Sequence, residues 1–180
     1  MAAYAALLYS VVLTPQKRVV MADLRTMAES LGLLNVRTLA SSGNLVFSTE
    51  EGSVSVMEAR LEAAFEKNFG RFVPIIVRTA DAWFRLAAAN PFPDESSDAP
   101  DQVAVRVMRK QVSGSEIEPL RQAASPDEKV ELVDGDPWIF FSRDRPNSRL
   151  LAAMNHKRLG VGTSRNWNTV RGLAEMISDT

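Results

Sequence analysis

The 180-residue sequence contains no cysteine and only one histidine, His156. Without cysteine the chain can form neither disulfides nor thiolate metal sites, and thiol catalysis is excluded. One histidine cannot build a multi-histidine metal site, and it argues against a Ser-His-Asp triad. The acidic pairs Glu50-Glu51 and Asp94-Glu95 lie in Ser-rich, loop-like sequence, which favours solvated loops over a magnesium site. We therefore predict no metal site, and no residue pattern points to a particular cofactor.

The sequence also lacks a large net charge and a long apolar run. Its 21 basic and 22 acidic residues give a formal net charge of −1, which argues against a protein that coats nucleic acid or membrane through bulk charge. No apolar stretch reaches the roughly 18 residues that are needed to cross a bilayer. Residues 1–4 lack the basic flank of a signal peptide. We therefore predict a cytoplasmic protein without a membrane partner.

The first half of the chain has the apolar pattern of alternating strands and helices. Strands are predicted at residues 3–13, 35–39, 44–48 and 73–78, and helices at residues 21–31 and 56–69. Gly32 and Gly70 follow the two helices, as expected of C-terminal caps, and residues 40–43 have the length of a hairpin connection. The order β-α-β-β-α-β is that of the ferredoxin-like split βαβ fold, in which both helices cover one face of an antiparallel sheet.

The second half echoes this pattern less regularly. Strands are predicted at residues 102–108, 129–133, 137–142 and 161–163, and helices at residues 79–89, 115–124, 147–159 and 166–178. Ser115 and Glu118 have the spacing of a helix-capping pair. We therefore predict an α+β fold of two ferredoxin-like halves with antiparallel sheets and extra helices. Residues 1–89 would comprise the N-terminal half together with the helix at residues 79–89, which links it to the second half. A Pro-, Ser- and Asp-rich linker would comprise residues 90–101, and the C-terminal half with the final helix residues 102–180.

The most unusual stretch is Thr163-Ser164-Arg165-Asn166-Trp167-Asn168-Thr169-Val170, within residues 152–174, which contain four basic and no acidic residues. We interpret it as the start of the final helix. In a ligand site, Arg165 would pair with phosphate or carboxylate and Trp167 would stack on a ring. In the alternative interpretation, Thr163, Ser164 or Asn166 caps the helix and Trp167 packs into the core.

A second polar group precedes this stretch by more than a hundred residues. Ser41-Ser42-Gly43-Asn44 would supply hydroxyl and amide groups to the same pocket, although ordinary turn chemistry explains Gly43 and Asn44 equally well. His156, next to Lys157 and Arg158, suits a solvated surface residue better than a general base. The predicted ligand-binding residues are Thr163, Arg165, Asn166, Trp167, Asn168, Arg37, Ser42 and Asn44.

Six phrases of this sequence occur in the order and at the spacing of a known family. They are Met21-Ala22-Asp23-Leu24-Arg25, Asn35-Val36-Arg37-Thr38, Ser42-Gly43-Asn44-Leu45-Val46-Phe47, Val77-Arg78-Thr79, Asn90-Pro91-Phe92 and Thr163-Ser164-Arg165-Asn166-Trp167-Asn168-Thr169. Over nearly its whole length the chain resembles the domain-of-unknown-function 1697 family of small bacterial proteins. The resemblance implies a compact α+β protein with ferredoxin-like halves, and it implies no particular activity.

The chain departs from the family pattern after its first strand. Family members usually continue there into Arg-Gly-Ile-Asn-Val-Gly-Gly, whereas this chain has Tyr9-Ser10-Val11-Val12-Leu13-Thr14-Pro15. A Gly-rich turn can bring backbone N–H groups close to an anion. Thr14-Pro15 does this less well because proline has no N–H to donate. If the family uses this loop as a site, this chain is expected to bind another ligand or none.

Three functions are consistent with these observations. The first is a binding module for a nucleotide, a small phosphorylated or other anionic ligand, or single-stranded RNA, although Phe47, Phe140 and Phe141 are few for an RNA-binding sheet. The second is an enzyme that acts on a small phosphorylated or carboxylated metabolite, with its nucleophile or base among Ser41, Ser42, Thr163, Ser164 and His156. The third is a purely structural or interaction protein. We favour the binding module for a nucleotide or small anionic ligand.

Overall fold

The computed structural model describes residues 1–143 and 145–180, which form two compact units. Unit 1 comprises Met1–Arg85 and Gly172–Thr180, and unit 2 comprises Leu86–Arg171. The mixture of helices with antiparallel sheets confirms the predicted α+β class. Among the described residues, no helix is both long enough and apolar enough to span a membrane.

Unit 1 contains a four-stranded antiparallel sheet, a separate small hairpin and two helices. Its strands are β1 (Ala2–Leu8), β2 (Val12–Thr14), β3 (Lys17–Arg18), β4 (Leu34–Leu39), β5 (Asn44–Thr49) and β6 (Ile75–Thr79), and its helices are α1 (Met21–Ser30) and α2 (Val54–Phe69). The strand order in the sheet is β4-β5-β1-β6, and β2 pairs only with β3. The predicted β-α-β-β-α-β order is therefore present, with the β2–β3 hairpin added after the first strand.

The first strand is shorter than the sequence predicts. It is predicted over residues 3–13, but β1 ends at Leu8. The Ser10 hydroxyl accepts a hydrogen bond from the Val12 N–H at 3.1 Å, and the Val11 carbonyl accepts one from the Val19 N–H at 2.8 Å. Because these bonds satisfy the backbone locally, the chain leaves the sheet and folds back as a hairpin.

The core of unit 1 follows from the alternation of side chains along its strands. Tyr4, Ala6 and Leu8 of β1 belong to the same buried cluster as residues of both helices, namely Leu24, Met27, Ala28, Met57, Leu61, Ala64 and Phe65. Ala5 and Leu7 point to the opposite face of β1 and are also fully buried. Burial on both faces accounts for the nearly continuous apolar run at the start of the sequence.

Unit 2 contains a second four-stranded antiparallel sheet with the strand order β10-β7-β9-β8. Its elements are α4 (Pro93–Asp98), β7 (Val103–Met108), α5 (Gly114–Ala123), β8 (Lys129–Val133), β9 (Asp136–Phe140), a 3₁₀ turn (Arg145–Asn147), α6 (Arg149–Ala153), α7 (His156–Leu159) and β10 (Gly162–Asn166). Asp134 and Gly135 connect β8 to β9 with φ of 50° and 83°, the left-handed backbone of a two-residue hairpin turn.

Two further helices each contribute residues to both units. Helix α3 (Ala80–Ala88) follows β6, and α8 (Trp167–Ser178) follows β10. The division between the units falls after Arg85 in α3 and after Arg171 in α8. The last nine residues therefore belong to unit 1, whereas the sequence-based division assigns them to the C-terminal half.

The predicted linker at residues 90–101 contains a helix. The side chain of Asn90 organises its start: the amide oxygen accepts the Phe92 N–H at 2.9 Å, and the amide nitrogen donates to the Ser96 hydroxyl at 2.7 Å. Pro93 occupies the first helical turn, where its fixed φ is favourable. Phe92 and Ser96 are buried. Composition alone suggests a loop here because proline, serine and aspartate are also common in helix starts.

Two helices of unit 2 differ from their predicted forms. Helix α5 is capped by Ser113 and Glu116 instead of Ser115 and Glu118, because the Glu116 carboxylate accepts the Ser113 N–H at 2.7 Å. Both pairs have the same sequence spacing, so the pattern does not distinguish them. The helix predicted over residues 147–159 is interrupted at Asn155, whose side chain accepts the Arg158 N–H at 3.2 Å and starts α7.

Candidate functional site

The polar segment at residues 163–170 begins as a strand and continues as a helix. Thr163 and Arg165 belong to β10, in register with Val107 and Val105 of β7. Helix α8 begins only at Trp167, and the Asn166 side chain caps it by accepting the Thr169 N–H at 3.1 Å. Thr163, Ser164 and Arg165 are therefore strand residues and not part of the helix start, whereas Asn166 caps the helix as the alternative interpretation allows. Pairing with β7 overrides the local capping signals in this segment.

Arg165 is buried inside unit 2, and its guanidinium group forms hydrogen bonds there. Only 8% of the residue is exposed. Nη1 donates to the Thr163 hydroxyl at 2.7 Å and to the Ser164 carbonyl at 2.9 Å. Burial lowers the pKa of Arg165 to about 10, so the group is still protonated at neutral pH. This geometry favours the structural interpretation of Arg165.

Trp167 also has a structural neighbour. Its ring centroid lies 6.1 Å from that of Trp138, with 51° between the ring planes. Trp138 is fully buried, whereas Trp167 is half-buried. Asn168 is exposed, and its side-chain oxygen accepts from Arg171 at 3.4 Å. Trp167 therefore packs against one buried ring but is not itself part of the core, which was the alternative that the sequence offers.

Arg37, Ser42 and Asn44 lie in unit 1 and have partners there. Asn44 is fully buried, and its amide donates to the Leu39 carbonyl at 3.0 Å and to the Ser42 hydroxyl at 2.9 Å. These bonds brace the hairpin between β4 and β5. The Arg37 guanidinium donates to the Met176 carbonyl and the Thr180 hydroxyl at the end of α8. The ligand-binding role of the eight predicted site residues stays a prediction.

A cavity of about 440 Å³ in unit 2 offers a different candidate site. Helix α5 contributes one wall, and α6, α7 and their connection contribute the other. We call it the arginine cavity, and it is lined by Pro119, Gln122, Ala123, Arg149, Ala152, Ala153, Asn155 and Arg158. The interruption between α6 and α7 at Asn155 allows both helices to contribute to the same cavity.

The lining of the arginine cavity is basic and carries no acidic residue. Arg149 and Arg158 are exposed, and within residues 1–143 and 145–180 neither side chain makes a hydrogen bond or an ion pair. Asn155 is fixed, since its amide donates to the Ala152 carbonyl at 3.3 Å and its oxygen accepts the Arg158 N–H. The cavity therefore presents two guanidinium groups that have hydrogen-bonding capacity to spare.

The sequence carries a partial signal for this site. Arg158 lies in the acid-free stretch described above, but that stretch extends back to Arg145 and includes Arg149. The segment of residues 152–174 considered above therefore does not include Arg149. Charge alone also does not separate the buried Arg165 from the exposed Arg149 and Arg158, because that difference depends on strand alternation and on the break at Asn155.

The remaining candidate groups are accounted for by the fold. Nε2 of His156 lies 3.3 Å from the Gly162 carbonyl oxygen, so the ring is placed against the start of β10. Phe47 and Phe141 are fully buried and are not available to stack on nucleic-acid bases, whereas Phe140 is half-buried. Within the part of the chain that the structure describes, no group of three or more His, Asp or Glu residues could hold a metal ion.

Comparison with known proteins identifies the family and supports the fold. A family described as protein of unknown function (DUF1697) matches residues 1–138. The structure is similar to that of conserved bacterial protein SP0830 from Streptococcus pneumoniae, with a TM-score of 0.75 and 20% identity over 99% of each chain. Comparison with curated proteins gives no match. The chain belongs to the DUF1697 family, and both the arginine pair and the Arg165 segment lie beyond the matched residues.

Proposed function

We propose that this member of the family is a binding module for small anionic ligands, which it holds in the arginine cavity. The observation that carries the proposal is the pair Arg149 and Arg158, which have no partners among the described residues and line a cavity without acidic residues. Guanidinium groups match carboxylate and phosphate oxygens with paired hydrogen bonds. Two of them together suit a ligand with a double negative charge.

The rest of the lining narrows the ligand class. Gln122 supplies an amide, and its side chain makes no hydrogen bond to the described residues. No aromatic residue lines the cavity, so a nucleotide would be held by its phosphates and not by stacking of its base. The volume of about 440 Å³ lies in the range of small-molecule sites. Small phosphorylated or carboxylated compounds are therefore the preferred ligands.

The same lining favours binding over catalysis. It contains no hydroxyl, imidazole or carboxylate side chain that could serve as a nucleophile or a general base. The enzyme alternative would have to recruit such a group from outside the cavity. A receptor or carrier role for the anion requires only the arginine pair and the amide groups.

The test is a calorimetric titration of the full chain with inorganic phosphate, pyrophosphate and citrate. Because a charge-assisted hydrogen bond contributes roughly 1.5–3 kcal/mol, Arg149→Ala and Arg158→Ala should each raise the dissociation constant about tenfold or more. Lys157→Ala is the matched control, since Lys157 is an exposed cation on α7 outside the lining. It should leave the constant within about twofold.

Two outcomes would overturn this assignment. The first is the absence of binding of all three anions by the folded wild type. The second is binding that Arg165→Ala abolishes while Arg149→Ala and Arg158→Ala leave it unchanged, which would place the ligand at the segment predicted from the sequence. Circular dichroism of each variant verifies that the variant is folded, so that a loss of affinity is not caused by unfolding.

We also propose that both sheets have the ferredoxin-like topology. In unit 1, β1 lies between β5 and β6, and in unit 2, β7 lies between β9 and β10. In each sheet, the first long strand is thus placed between the third and the fourth, as in a split βαβ arrangement. A crystal structure in which either sheet had another strand order would refute the assignment.

A further inference from the structure

A second cavity lies in unit 1, beneath the hairpin that follows the first strand. Its volume is about 370 Å³. The hairpin β2–β3 forms one side, α1 another, and the C-terminal end of α2 closes it. We call it the hairpin cavity, and its lining residues that bear on its chemistry are Leu13, Lys17, Arg18, Val19, Asp23, Thr26, Met27, Ser30, Asn68 and Phe69.

The hairpin is held in place by hydrogen bonds to its backbone, which leave the side chains of Lys17 and Arg18 available to the cavity. The Arg71 guanidinium donates to the Val12 carbonyl at 2.8 Å, and the Val19 N–H donates to the Val11 carbonyl. Val12 and Thr14 are in register with Arg18 and Lys17. The side of the cavity that the hairpin provides is therefore anchored to the end of α2 through Arg71.

The inner part of the hairpin cavity is apolar. Val19 and Met27 are buried, with 6% and 2% exposed, and belong to the core cluster of unit 1. Leu13 and Phe69 are partly buried and pack against the same cluster. A ligand that fills this part gains by removing apolar surface from water, so it needs an apolar group of its own.

The polar residues of the lining carry charges of both signs. Lys17, Arg18 and Asp23 are exposed, and none of the three side chains makes a hydrogen bond or ion pair with the described residues. The two cations suit a carboxylate, and Asp23 suits an ammonium group or another N–H donor.

The neutral polar side chains add acceptors to this lining. The Thr26 hydroxyl donates to the Ala22 carbonyl at 3.1 Å, and the Ser30 hydroxyl donates to the Met27 carbonyl at 2.6 Å. The Asn68 amide nitrogen donates to the Ala64 carbonyl at 2.7 Å. Since these donors are already used, the oxygens of Thr26, Ser30 and Asn68 remain to accept from a ligand.

We infer that the hairpin cavity binds a small zwitterion with an apolar side chain, of the class of the hydrophobic α-amino acids. Its apolar side chain occupies the space bordered by Leu13, Met27 and Phe69. Its carboxylate contacts Lys17 and Arg18, and its ammonium group contacts Asp23. The arginine cavity could not select this ligand, because its lining carries no acidic residue to contact the ammonium group.

The experiment is calorimetric titration of the full chain with L-phenylalanine and L-leucine. Phenylalaninamide and N-acetyl-phenylalanine serve as probes that lack the carboxylate and the ammonium group, respectively. We expect the two amino acids to bind and each modified probe to bind about tenfold or more weakly, since each loses a charge-assisted contact. Equal affinity for phenylalanine and both modified probes would overturn the zwitterion assignment.

Variants locate the site. Arg18→Ala and Asp23→Asn should each weaken phenylalanine binding about tenfold or more, and Asp23→Asn should no longer distinguish phenylalanine from N-acetyl-phenylalanine. Arg25→Ala is the control, because Arg25 is an exposed cation on α1 outside the lining. Binding that persists unchanged in Arg18→Ala and Asp23→Asn, or no binding by the folded wild type, would refute the inference. These variants should leave the titrations with phosphate, pyrophosphate and citrate unchanged, so the two cavities are tested separately.

Discussion

Burial of Arg165 inside unit 2 removes its charge from water but gives the side chain hydrogen bonds within the unit. Its guanidinium group is removed from water, which lowers its pKa to about 10, well below the ordinary value of an arginine. In return it donates to the Thr163 hydroxyl and the Ser164 carbonyl. The side chain therefore braces the edge strand β10 from within, and its charge adds little to the attraction of ligands from solvent.

The lowered pKa of Arg165 predicts a pH dependence of stability. At pH values above about 10 but below the ordinary pKa of an arginine, the unfolded chain holds this proton while the folded chain releases it. The unfolded state then binds more protons, so the free energy of unfolding rises with pH through this window. Relative to Arg165→Met, which lacks the titrating group, the wild type should gain about 2 kcal/mol between roughly pH 9 and 11.5.

Urea denaturation of both proteins across this range measures the difference. Other groups that titrate in the same range are common to the two chains and cancel in the comparison. Parallel stability curves for the wild type and Arg165→Met would show that Arg165 keeps an ordinary pKa in the folded state.

Gly43 illustrates a single position where the backbone and its surroundings both require glycine. Its φ is 81°, and an added Cβ would lie 2.7 Å from Val11 Cγ1 and 2.9 Å from Leu8 Cβ. Gly70 has a similar φ of 74° but nothing within 4 Å of its Cβ position. Gly70→Ala should therefore cost only the left-handed backbone, about 1–2 kcal/mol, whereas Gly43→Ala should cost roughly 1–3 kcal/mol more through overpacking.

Thermal unfolding distinguishes the two glycine variants. At this chain length, 1 kcal/mol corresponds to a Tm change of about 2–4 °C, so Gly43→Ala should melt clearly below Gly70→Ala. Equal melting temperatures would mean that the turn between β4 and β5 moves away from Leu8 and Val11 without cost and so admits the methyl group.

At the scale of elements, strand β6 shows how unit 1 protects a sheet edge. It is the last strand in the order β4-β5-β1-β6. The carboxylates of Glu62 and Glu58, one turn apart on α2, accept the N–H groups of Ile75 and Val77, each at 3.0 Å. Donors that would otherwise be available to a strand from another molecule are thus satisfied within the chain.

Removing these two carboxylates should destabilise the protein and expose the edge. Glu58→Ala combined with Glu62→Ala leaves two N–H groups without their acceptors, at about 1–3 kcal/mol for each one that stays buried. We expect a lower urea midpoint and a sedimentation coefficient that rises with protein concentration. Glu66→Ala is the control, since Glu66 is exposed on the same helix and makes no side-chain bond among the described residues. A double variant with the same sedimentation behaviour and the same stability as this control contradicts the prediction.

Helices and strands could be predicted from the sequence where short-range signals, such as side-chain periodicity and capping residues, determine them. The β-α-β-β-α-β order of the first half was predictable because side-chain period and the glycines at 32 and 70 are local signals. The capping pair of α5 was not, because Ser113 and Ser115 each precede a glutamate by three residues. The break at Asn155 depends on the competition of one side chain with the backbone, which periodicity does not register.

The candidate sites were harder to predict than the fold for a related reason. The acid-free stretch marks Arg158 as part of a basic region, but a cavity forms only where α5, α6 and α7 meet. The hairpin cavity likewise depends on Lys17 and Arg18 following a turn that the sequence shows only as a strand break. Ligand sites combine residues from several elements, and their grouping appears only in three dimensions.

At the scale of the whole molecule, unit 1 is built from two separate stretches of chain. Residues 1–85 are completed by Gly172–Thr180. Arg37 of β4 donates to the Met176 carbonyl and the Thr180 hydroxyl. An added Cβ at Gly172 would lie 2.9 Å from Leu39 Cδ2, so the backbone of α8 passes close to the same strand. Strand β4 therefore depends on the last turns of α8 for its neighbours.

Truncation of the chain tests this dependence. A protein that ends at Arg171 lacks every partner just described, and backbone amides of β4 should exchange with deuterium at least tenfold faster. A protein that ends at Ile177 loses Thr180 but keeps Met176 and Gly172, and it should show a smaller acceleration. Hydrogen exchange followed by mass spectrometry measures both. Unchanged exchange of β4 in the shorter protein would show that the contacts of Arg37 and Leu39 contribute no protection.

The two-part construction of unit 1 has a consequence for synthesis on the ribosome. All of Leu86–Arg171 emerges before the nine residues that complete unit 1. At about 5–20 residues per second, translation of that interval takes roughly 4–17 s. Synthesis of unit 2 is therefore complete before that of unit 1, although unit 2 begins later in the chain. During this delay β4 and its residue Leu39 lack their final neighbours in α8.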